Sequence, residues 1–210
     1  MRSKSHKALI DGVVGPIEVR FFDASQQTGK DGSLSLVVIS HPHPQFGGTM
    51  DNKVVTTIER AFQGLGYSTL TYNFRGVGQS VGEYDGGVGE RQDLISVVNW
   101  ARQNMAFEKL VLSGFSFGSY VTLTAQPAIR ADRLFLVAPP VGLYDFSRIE
   151  EVSVPWEVVI GLDDEVVEVK EMLDWAFSRE QSPSVYCRAN ASHFLHGQLI
   201  WLKKLILSEY

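Results

Sequence analysis

Apolar and polar positions follow two different spacings along the chain. Short runs rich in branched and aromatic residues predict strands, and most segments between them carry apolar residues at helical spacing. Seven strands are predicted: 17–23, 34–40, 68–73, 110–113, 134–138, 157–161 and 185–189. Five helices are predicted: 52–63, 90–103, 119–125, 168–177 and 195–208. This alternation favours an α/β fold, with a mostly parallel sheet, helices on both faces and right-handed crossovers.

The length and composition are those of one globular domain. The chain has 210 residues, of which 44% are hydrophobic and 20% charged, and it is long enough to bury a core. We therefore expect a single α/β domain over residues 1–210. The net charge of −5 provides no basic surface for phosphates, so no nucleic-acid partner is expected. No feature of the sequence predicts an oligomeric state.

The start of the sequence does not have the pattern of a signal peptide. It is basic over residues 1–7, and only a short apolar run, Ala8-Leu9-Ile10, follows. That run is too short for the core of a signal peptide, and no apolar stretch approaches the length of a membrane span. The single cysteine, Cys187, cannot form an internal disulfide. We expect a cytoplasmic protein with no membrane partner.

The pentapeptide Gly114-Phe115-Ser116-Phe117-Gly118 lies between a predicted strand and a predicted helix. In this setting G-x-S-x-G is typical of a nucleophile elbow, in which a serine sits at the tip of a strained turn with its hydroxyl clear of the sheet. Glycines suit the two flanking positions because strand and helix run too close together there for a Cβ atom. The alternative is an ordinary glycine-rich loop that contains a serine.

An acid and a histidine follow this serine, each just beyond a predicted strand. The strand 157–161 leads into Leu162-Asp163-Asp164-Glu165, and the strand 185–189 leads towards Ser192-His193-Phe194-Leu195-His196. Open α/β sheets place their functional groups outside the carboxyl ends of the strands. We therefore expect the serine, the acid and the histidine to meet at one edge of the sheet.

These features resemble the α/β-hydrolase superfamily, in which the triad residues follow in the order serine, acid, histidine. The chain is more closely similar to a group of small bacterial hydrolases that carry an H-P-H-P-x-x-G-G-T-M-x-N-K segment. The matching segments span nearly the whole chain: 41–53 (HPHPQFGGTMDNK), 73–80, 89–90, 114–118, 161–167 and 193–197. The elbow is common to the superfamily, whereas the first segment indicates the narrower group. The resemblance implies mechanism better than substrate, because most members of that group are hydrolases inferred from sequence.

The resemblance implies a role for each residue of the set. Ser116 would be the nucleophile, and His193 would be the base that takes its proton and returns it to the leaving group. Asp164 would hold the imidazole tautomer and stabilise the cation. Asp163 is the competing acid, and the family pattern favours Asp164. His196 is the competing histidine, and it is expected one turn into the final helix rather than in the loop before it.

The oxyanion of a tetrahedral intermediate needs N–H donors, and in this fold one comes from the residue after the nucleophile, here Phe117. The second comes from the loop after an early strand, where Pro42 and Pro44 have no N–H to offer. The donor is therefore His43 or Gln45, and we rank His43 first because of its position shortly after the expected strand end. Its imidazole is predicted to form a pocket wall.

The connection from the predicted strand 134–138 to the acid strand is short. Residues 141–155 leave no room for a sizeable lid, although Tyr144, Phe146 and Ile149 within them can line one wall of a pocket. We therefore expect an open or shallow acyl site.

The residues predict a serine hydrolase that acts on carboxylic esters, with short acyl chains preferred. The substrate would be a small-molecule ester or thioester. His41 and His43 form an H-x-H pair, but no further ligands lie at supporting spacing, so neither a metal nor another cofactor is expected.

A thioesterase or peptidase with the same triad is one alternative, because the triad does not dictate the leaving group. A non-enzymatic binding module of the same fold is the other.

Overall fold

The computed structural model describes residues 5–28 and 32–210, so the basic residues at positions 1–4 lie outside the described part. The strands are β1 (His6–Asp11), β2 (Pro16–Phe22), β3 (Ser35–Ser40), β4 (Ser68–Tyr72), β5 (Lys109–Phe115), β6 (Arg133–Val137), β7 (Trp156–Gly161) and β8 (Ser184–Arg188). The helices are α1 (Lys53–Gly64), α2 (Val88–Asn104), α3 (Phe117–Ile129), α4 (Val169–Phe177) and α5 (Leu199–Glu209). Each predicted strand and helix overlaps one of these elements. No described helix is long and apolar enough to cross a membrane.

The eight strands form one sheet in the order β1-β2-β4-β3-β5-β6-β7-β8. The pairs β1–β2 and β2–β4 are antiparallel, and all other neighbours are parallel. The predicted α/β fold with a mostly parallel sheet is therefore confirmed. In a parallel sheet the carboxyl ends of the strands lie at one edge. The loops after β3, β5, β7 and β8 consequently meet there.

Helices cover both faces of the sheet. Alternate residues of its central strands are therefore buried on opposite sides. In β3, Leu36 and Val38 join an apolar cluster that includes residues of α2, α3 and α4. Val37 and Ile39 join a second cluster with residues of α1 and α5. Successive strand residues point to opposite faces, so a strand buried on both faces is a continuous apolar run in the sequence. The sequence pattern predicts the central strands because each of them is such an apolar run.

The sequence pattern does not predict strand β1. Ile10 is its one buried residue, so the strand contains no buried run. It lies at the edge of the sheet, where it pairs antiparallel with β2 and sets Ile10 opposite Ile17. Pairing with a neighbouring strand, rather than the burial of its own side chains, makes this segment a strand.

The final helix begins later than predicted, at Leu199 rather than at residue 195. Leu195 has φ 52° and Gly197 has φ 72°, and a backbone in this left-handed region cannot continue an α-helix. His196 lies in the turn before the helix. The expectation that His196 falls within the helix was wrong.

Candidate active site

Ser116 sits at the junction between β5 and α3, in a strained backbone conformation with φ 54° and ψ −122°. A positive φ is uncommon for a residue with a side chain, and at a strand-to-helix turn it indicates a nucleophile elbow. A Cβ atom at Gly114 would overlap the carbonyl group of Gly118, and one at Gly118 would overlap the carbonyl group of Ser40. Strand, turn and helix can approach this closely because both positions are glycine.

A continuous chain of hydrogen bonds joins Ser116, His193 and Asp164. His193 Nε2 lies 2.8 Å from Ser116 Oγ, and His193 Nδ1 lies 2.8 Å from Asp164 Oδ2. A carboxylate only accepts hydrogen bonds, so Nδ1 carries the imidazole proton and Nε2 is free to accept the serine hydroxyl. The His193 and Asp164 side chains are 2% and 0% exposed. The arrangement can pass a proton from the serine to a buried imidazole.

Both oxygens of the Asp164 carboxylate accept hydrogen bonds. Oδ1 accepts the N–H groups of Val166 at 2.9 Å and Val167 at 2.8 Å, while Oδ2 faces His193. Burial acts to raise the pKa of Asp164, but the hydrogen bond from His193 and the two backbone N–H donors outweigh it and lower that pKa below its usual value. The carboxylate therefore stays ionised, which an acid that orients an imidazole must do.

The structure does not bring the two competing residues into this chain of hydrogen bonds. Asp163 is exposed, and its backbone N–H donates to Ala191 O at 3.0 Å. His196 is exposed, and its ring packs against Phe194 with centroids 5.8 Å apart.

Glu165 supports the histidine, and sequence reasoning missed it. Its Oε2 accepts the backbone N–H of His193 at 3.1 Å, which ties the histidine loop to the turn that carries Asp164. The ring of His193 also packs against Phe115 at 5.3 Å and Phe194 at 5.2 Å. Glu165 adjoins Asp164 in the chain, but no spacing rule connects it with a backbone group 28 residues away.

The loop after β3 is organised around His43. The Gln45 N–H donates to His43 Nδ1 at 3.2 Å, so this candidate oxyanion donor is already engaged within the loop. The N–H groups of Phe46 and Gly48 both donate to His43 O, at 3.2 Å and 3.0 Å. No hydrogen bond from the His43 N–H is found within the described residues. Of the two candidates in this loop, His43 is the one with its N–H available.

His41 is a structural residue rather than a ligand. Its Nδ1 donates to Pro42 O at 2.6 Å, and its Nε2 accepts the Phe74 N–H at 3.0 Å. Burial lowers the pKa of His41 to about 4, so the ring is neutral at physiological pH. Within the described residues, no group of three or more His, Cys, Asp or Glu side chains is placed to hold a metal ion.

Aromatic rings surround the imidazole of His43. Its Nε2 lies 3.2 Å from the hydroxyl of Tyr84, and its ring packs against Phe46 at 4.6 Å and Phe117 at 5.2 Å. Burial lowers the pKa of His43. Tyr144, from the short connection after β6, lies with its ring 5.4 Å from that of Phe117. Sequence reasoning noted Tyr144 as a wall residue, but it gave no reason to single out Tyr84.

A buried ion pair anchors the segment that carries Tyr84. Arg75 Nη2 lies 2.8 Å from Asp93 Oδ1, and the Arg75 N–H also donates to Asp93 Oδ2 at 3.0 Å. A Cβ atom at Gly89 would overlap the Arg75 guanidinium, which explains the glycine at that position. Glu90 is fully buried and accepts the Gly87 N–H at 2.8 Å. The sequence motifs at 73–80 and 89–90 therefore hold this loop against the elbow, where the rings of Tyr84 and Phe117 lie 5.7 Å apart.

No sizeable lid covers the site. The strands β6 and β7 are joined by residues 138–155, which include one 3-10 turn at Phe146–Arg148 and no further helix. Ser116 is 8% exposed. A cavity of 560 Å³ lies between α2 and α3, where Tyr120 contributes to its lining, but Ser116 does not. The near-burial of Ser116 therefore does not come from a helical lid, and the expected open or shallow acyl site stays a prediction.

Solved structures and a curated relative resemble this chain over most of its length. The protein XC6422 of Xanthomonas campestris, an α/β serine hydrolase without lid, is 37% identical with TM-score 0.89, covering 99% of this chain and 94% of that one. An α/β serine hydrolase homologue from Coxiella burnetii is 37% identical with TM-score 0.89, covering 97% and 96%. The uncharacterized protein RP471 of Rickettsia prowazekii (strain Madrid E) is 36% identical over 172 residues, which are 78% of this chain and 69% of that protein.

The model of the X-Pro dipeptidyl-peptidase (S15) family matches residues 25–151, more than half of the 210-residue chain. The matched part contains the loop after β3, the ion-paired loop and the elbow, and it ends before the acid and histidine turns. The fold, the elbow and the relatives agree with this match. The chain thus belongs to the S15 family, within the α/β-hydrolase superfamily, and is a serine hydrolase.

Proposed function

We propose that this protein hydrolyses carboxylic esters through an acyl-enzyme formed on Ser116, acting as a single domain without a cofactor. The observation that carries the proposal is the pair of 2.8 Å contacts that link Ser116 Oγ to His193 and His193 to Asp164. A serine hydroxyl is a weak nucleophile unless an adjacent base takes its proton. The neutral imidazole, held in the correct tautomer by an ionised carboxylate, is such a base.

In the first half of the reaction, Ser116 Oγ bonds to the acyl carbon while its proton moves to His193 Nε2. The negative charge that develops on the carbonyl oxygen is held by the backbone N–H groups of Phe117 and His43. The ester C–O bond then breaks, and the departing alcohol takes the proton from His193. Donors fixed in position before the reaction stabilise this oxyanion without reorganising, and removing one such donor typically lowers kcat by about 10²–10³-fold.

In the second half, a water molecule attacks the acyl carbon of the acyl-enzyme. His193 takes a proton from the water, the oxyanion forms again, and the proton returns to Ser116 Oγ as the carboxylic acid leaves. Among the described residues, the short connection between β6 and β7 forms no sizeable lid, and this favours small esters with short acyl chains. Thioesters share this chemistry, and their turnover would extend the substrate range.

Labelling by a small fluorophosphonate, followed by intact mass, tests the nucleophile. We expect one adduct on the wild type and none on Ser116→Ala, with circular dichroism reporting that both are folded. His193→Ala should label far more slowly, whereas His196→Ala is the matched control and should label at the wild-type rate. A folded wild type that forms no adduct would contradict the proposal and favour a binding module. A panel of 4-nitrophenyl esters then tests chain length, and a maximum at long chains would contradict the short-acyl preference.

The family match favours a dipeptidyl-peptidase as a second candidate function. The amine of a peptide bond is a poorer leaving group than the alcohol of an ester, but the same serine and histidine can perform both reactions. The test is to assay Ala-Pro-4-nitroanilide beside 4-nitrophenyl acetate with the same enzyme. Release of nitroaniline that disappears in Ser116→Ala would establish peptidase activity, and ester turnover alone would exclude this substrate.

A further inference from the structure

The imidazole of His43 is a hydrogen-bond donor towards Tyr84. Because His43 Nδ1 accepts the Gln45 N–H at 3.2 Å, the ring proton must be on Nε2 in the neutral form. Nε2 lies 3.2 Å from the Tyr84 hydroxyl, so the Tyr84 oxygen is the acceptor. Burial lowers the pKa of His43, which keeps the ring neutral and preserves this direction.

The hydroxyls of Tyr84 and Tyr144 contact each other at 3.3 Å. Together they carry two protons, and one of these bridges the two oxygens. The other has no acceptor within the described residues, because His43 Nε2 is itself a donor and no other contact of these two hydroxyls is found there. A hydroxyl that accepts a hydrogen bond becomes a better donor. In the favoured order of hydrogen bonds, His43 donates to Tyr84 and Tyr84 donates to Tyr144. The Tyr144 hydroxyl proton is then left without an acceptor among the described residues.

The unused donor lies close to the two residues proposed to donate to the oxyanion. The Tyr144 ring is 5.4 Å from the ring of Phe117 and 6.5 Å from the ring of His43, the two residues whose N–H groups are the proposed oxyanion donors. Tyr144 is half-buried, so its hydroxyl is partly shielded from water. Burial is the main cause that raises the pKa of Tyr144, and the hydroxyl consequently keeps its proton well into the alkaline range.

We propose that Tyr84 and Tyr144 bind substrate, by donating one phenolic hydrogen bond to an acceptor oxygen carried by an aromatic ester. The half-buried ring of His43 and the exposed ring of Phe46, 4.6 Å apart, provide apolar surface for an aromatic group. Aromatic pairs gain from such contacts beyond the area they bury. A half-buried donor without a protein acceptor favours the binding of a ligand that accepts its hydrogen bond over one that cannot. This inference rests on the proposed ester hydrolysis and names the substrate class for the same site.

Matched ester pairs test the hydrogen bond. Each pair consists of a methoxy-substituted and an ethyl-substituted ring, which have nearly the same shape but differ in one acceptor oxygen. The ortho, meta and para pairs are prepared both as methyl benzoates and as phenyl acetates, so that the ring lies on the acyl or the alcohol side. The readout is the ratio of kcat/KM for methoxy over ethyl. Comparing this ratio between enzyme variants cancels the intrinsic reactivity of each ester.

We expect at least one pair in which the wild type prefers the methoxy ester by about fivefold, the effect of one neutral hydrogen bond. The Tyr84→Phe/Tyr144→Phe double variant should bring this ratio close to that of the uncatalysed reaction. Tyr144→Phe alone should lower the ratio, since the free proton lies on the Tyr144 hydroxyl in the favoured order. Tyr120→Phe is the matched control, because its ring stacks on Tyr144 at 4.7 Å but its hydroxyl is outside the pair, and the ratio should not change.

Two results would overturn the inference: no pair with a methoxy preference in the wild type, or a preference that survives in the double variant. Turnover of unsubstituted phenyl acetate separates this outcome from failure of the proposed function. If the wild type hydrolyses phenyl acetate and no pair depends on the tyrosines, only this inference fails. If phenyl acetate is not hydrolysed and no fluorophosphonate adduct forms, the ester hydrolase proposal itself fails.

Discussion

His193 Nε2 lies 2.8 Å from Ser116 Oγ although 77 residues separate them along the chain. The serine follows β5 and the histidine follows β8, and β6 and β7 lie between these strands in the sheet. Three strand spacings correspond to roughly 14 Å, so the histidine loop must fold back over the edge of the sheet. The contact between the His193 and Phe115 rings, 5.3 Å apart, holds it there.

The acid turn offers a matched pair of adjacent aspartates. We expect Asp164→Asn to lower kcat on any ester substrate by about 10³–10⁴-fold, since an amide at this position favours the wrong imidazole tautomer. Asp163→Asn, at the exposed neighbour, should leave kcat within about twofold of the wild type, because the side chain is exposed and the backbone N–H that donates to Ala191 is kept. Steady-state kinetics on one ester measure both. Equal losses in the two variants would contradict the assignment of Asp164.

The elbow glycines are predicted to be intolerant of any side chain. Gly118→Ala would place a Cβ atom against the carbonyl groups of Ser40 and His41, and we expect it to lower the free energy of unfolding by about 1–3 kcal/mol. Gly64→Ala is the control, because the nearest atom to its added Cβ lies 3.8 Å away on Leu207. It should be neutral or stabilising by up to about 1 kcal/mol. Urea unfolding measures both, and a neutral Gly118→Ala would contradict the close approach.

The buried pair of Arg75 and Asp93 should matter far more than an exposed pair. Their side chains are 7% and 1% exposed, and Asp93→Asn leaves the guanidinium without its counter-charge, so we expect a loss of about 3–5 kcal/mol in the free energy of unfolding. Asp174→Asn breaks a helical pair with Lys170 whose side chains are 79% and 65% exposed, and it should cost less than about 0.5 kcal/mol. Losses of similar size in the two variants, measured by urea unfolding, would contradict this difference.

His41 should make stability depend on pH. Its pKa falls from 6.5 to about 4 on folding, so between these pH values the unfolded chain binds more protons than the folded one. The stabilisation is complete above pH 6.5, declines as the pH falls towards 4, and amounts to about 3 kcal/mol. We expect His41→Gln, which cannot titrate, to flatten the loss of unfolding free energy between pH 7 and pH 4.

Carboxylates also contribute to that pH dependence, so the informative quantity is the difference between the wild type and His41→Gln. His196→Gln, at an exposed histidine, is the control and should follow the wild-type curve. Parallel curves for the wild type and His41→Gln would contradict a buried, neutral His41.

Much of the fold and part of the site follow from local sequence. The run before Ser116, the flanking glycines and the apolar spacing after it predict the strand, turn and helix, because backbone geometry and side-chain periodicity act over a few residues. The continuous apolar runs of the central strands predict a sheet buried on both faces. The order of serine, acid and histidine predicts which loops meet, because parallel strands end at the same edge.

Local sequence does not distinguish Asp164 from Asp163, and only the family resemblance favoured Asp164. The tertiary structure places Asp164 against His193 and leaves His196 in the turn before the final helix. Neighbouring residues have nearly the same local preferences, and which side chain reaches His193 depends on the packing of turns from distant parts of the chain. Strand β1 likewise exists through its pairing with β2. The hydroxyl contact between Tyr84 and Tyr144 joins loops 60 residues apart. Local sequence thus determined the five helices and every described strand except β1. Long-range packing determined which atoms touch, because hydrogen bonds depend on distances that local patterns do not contain.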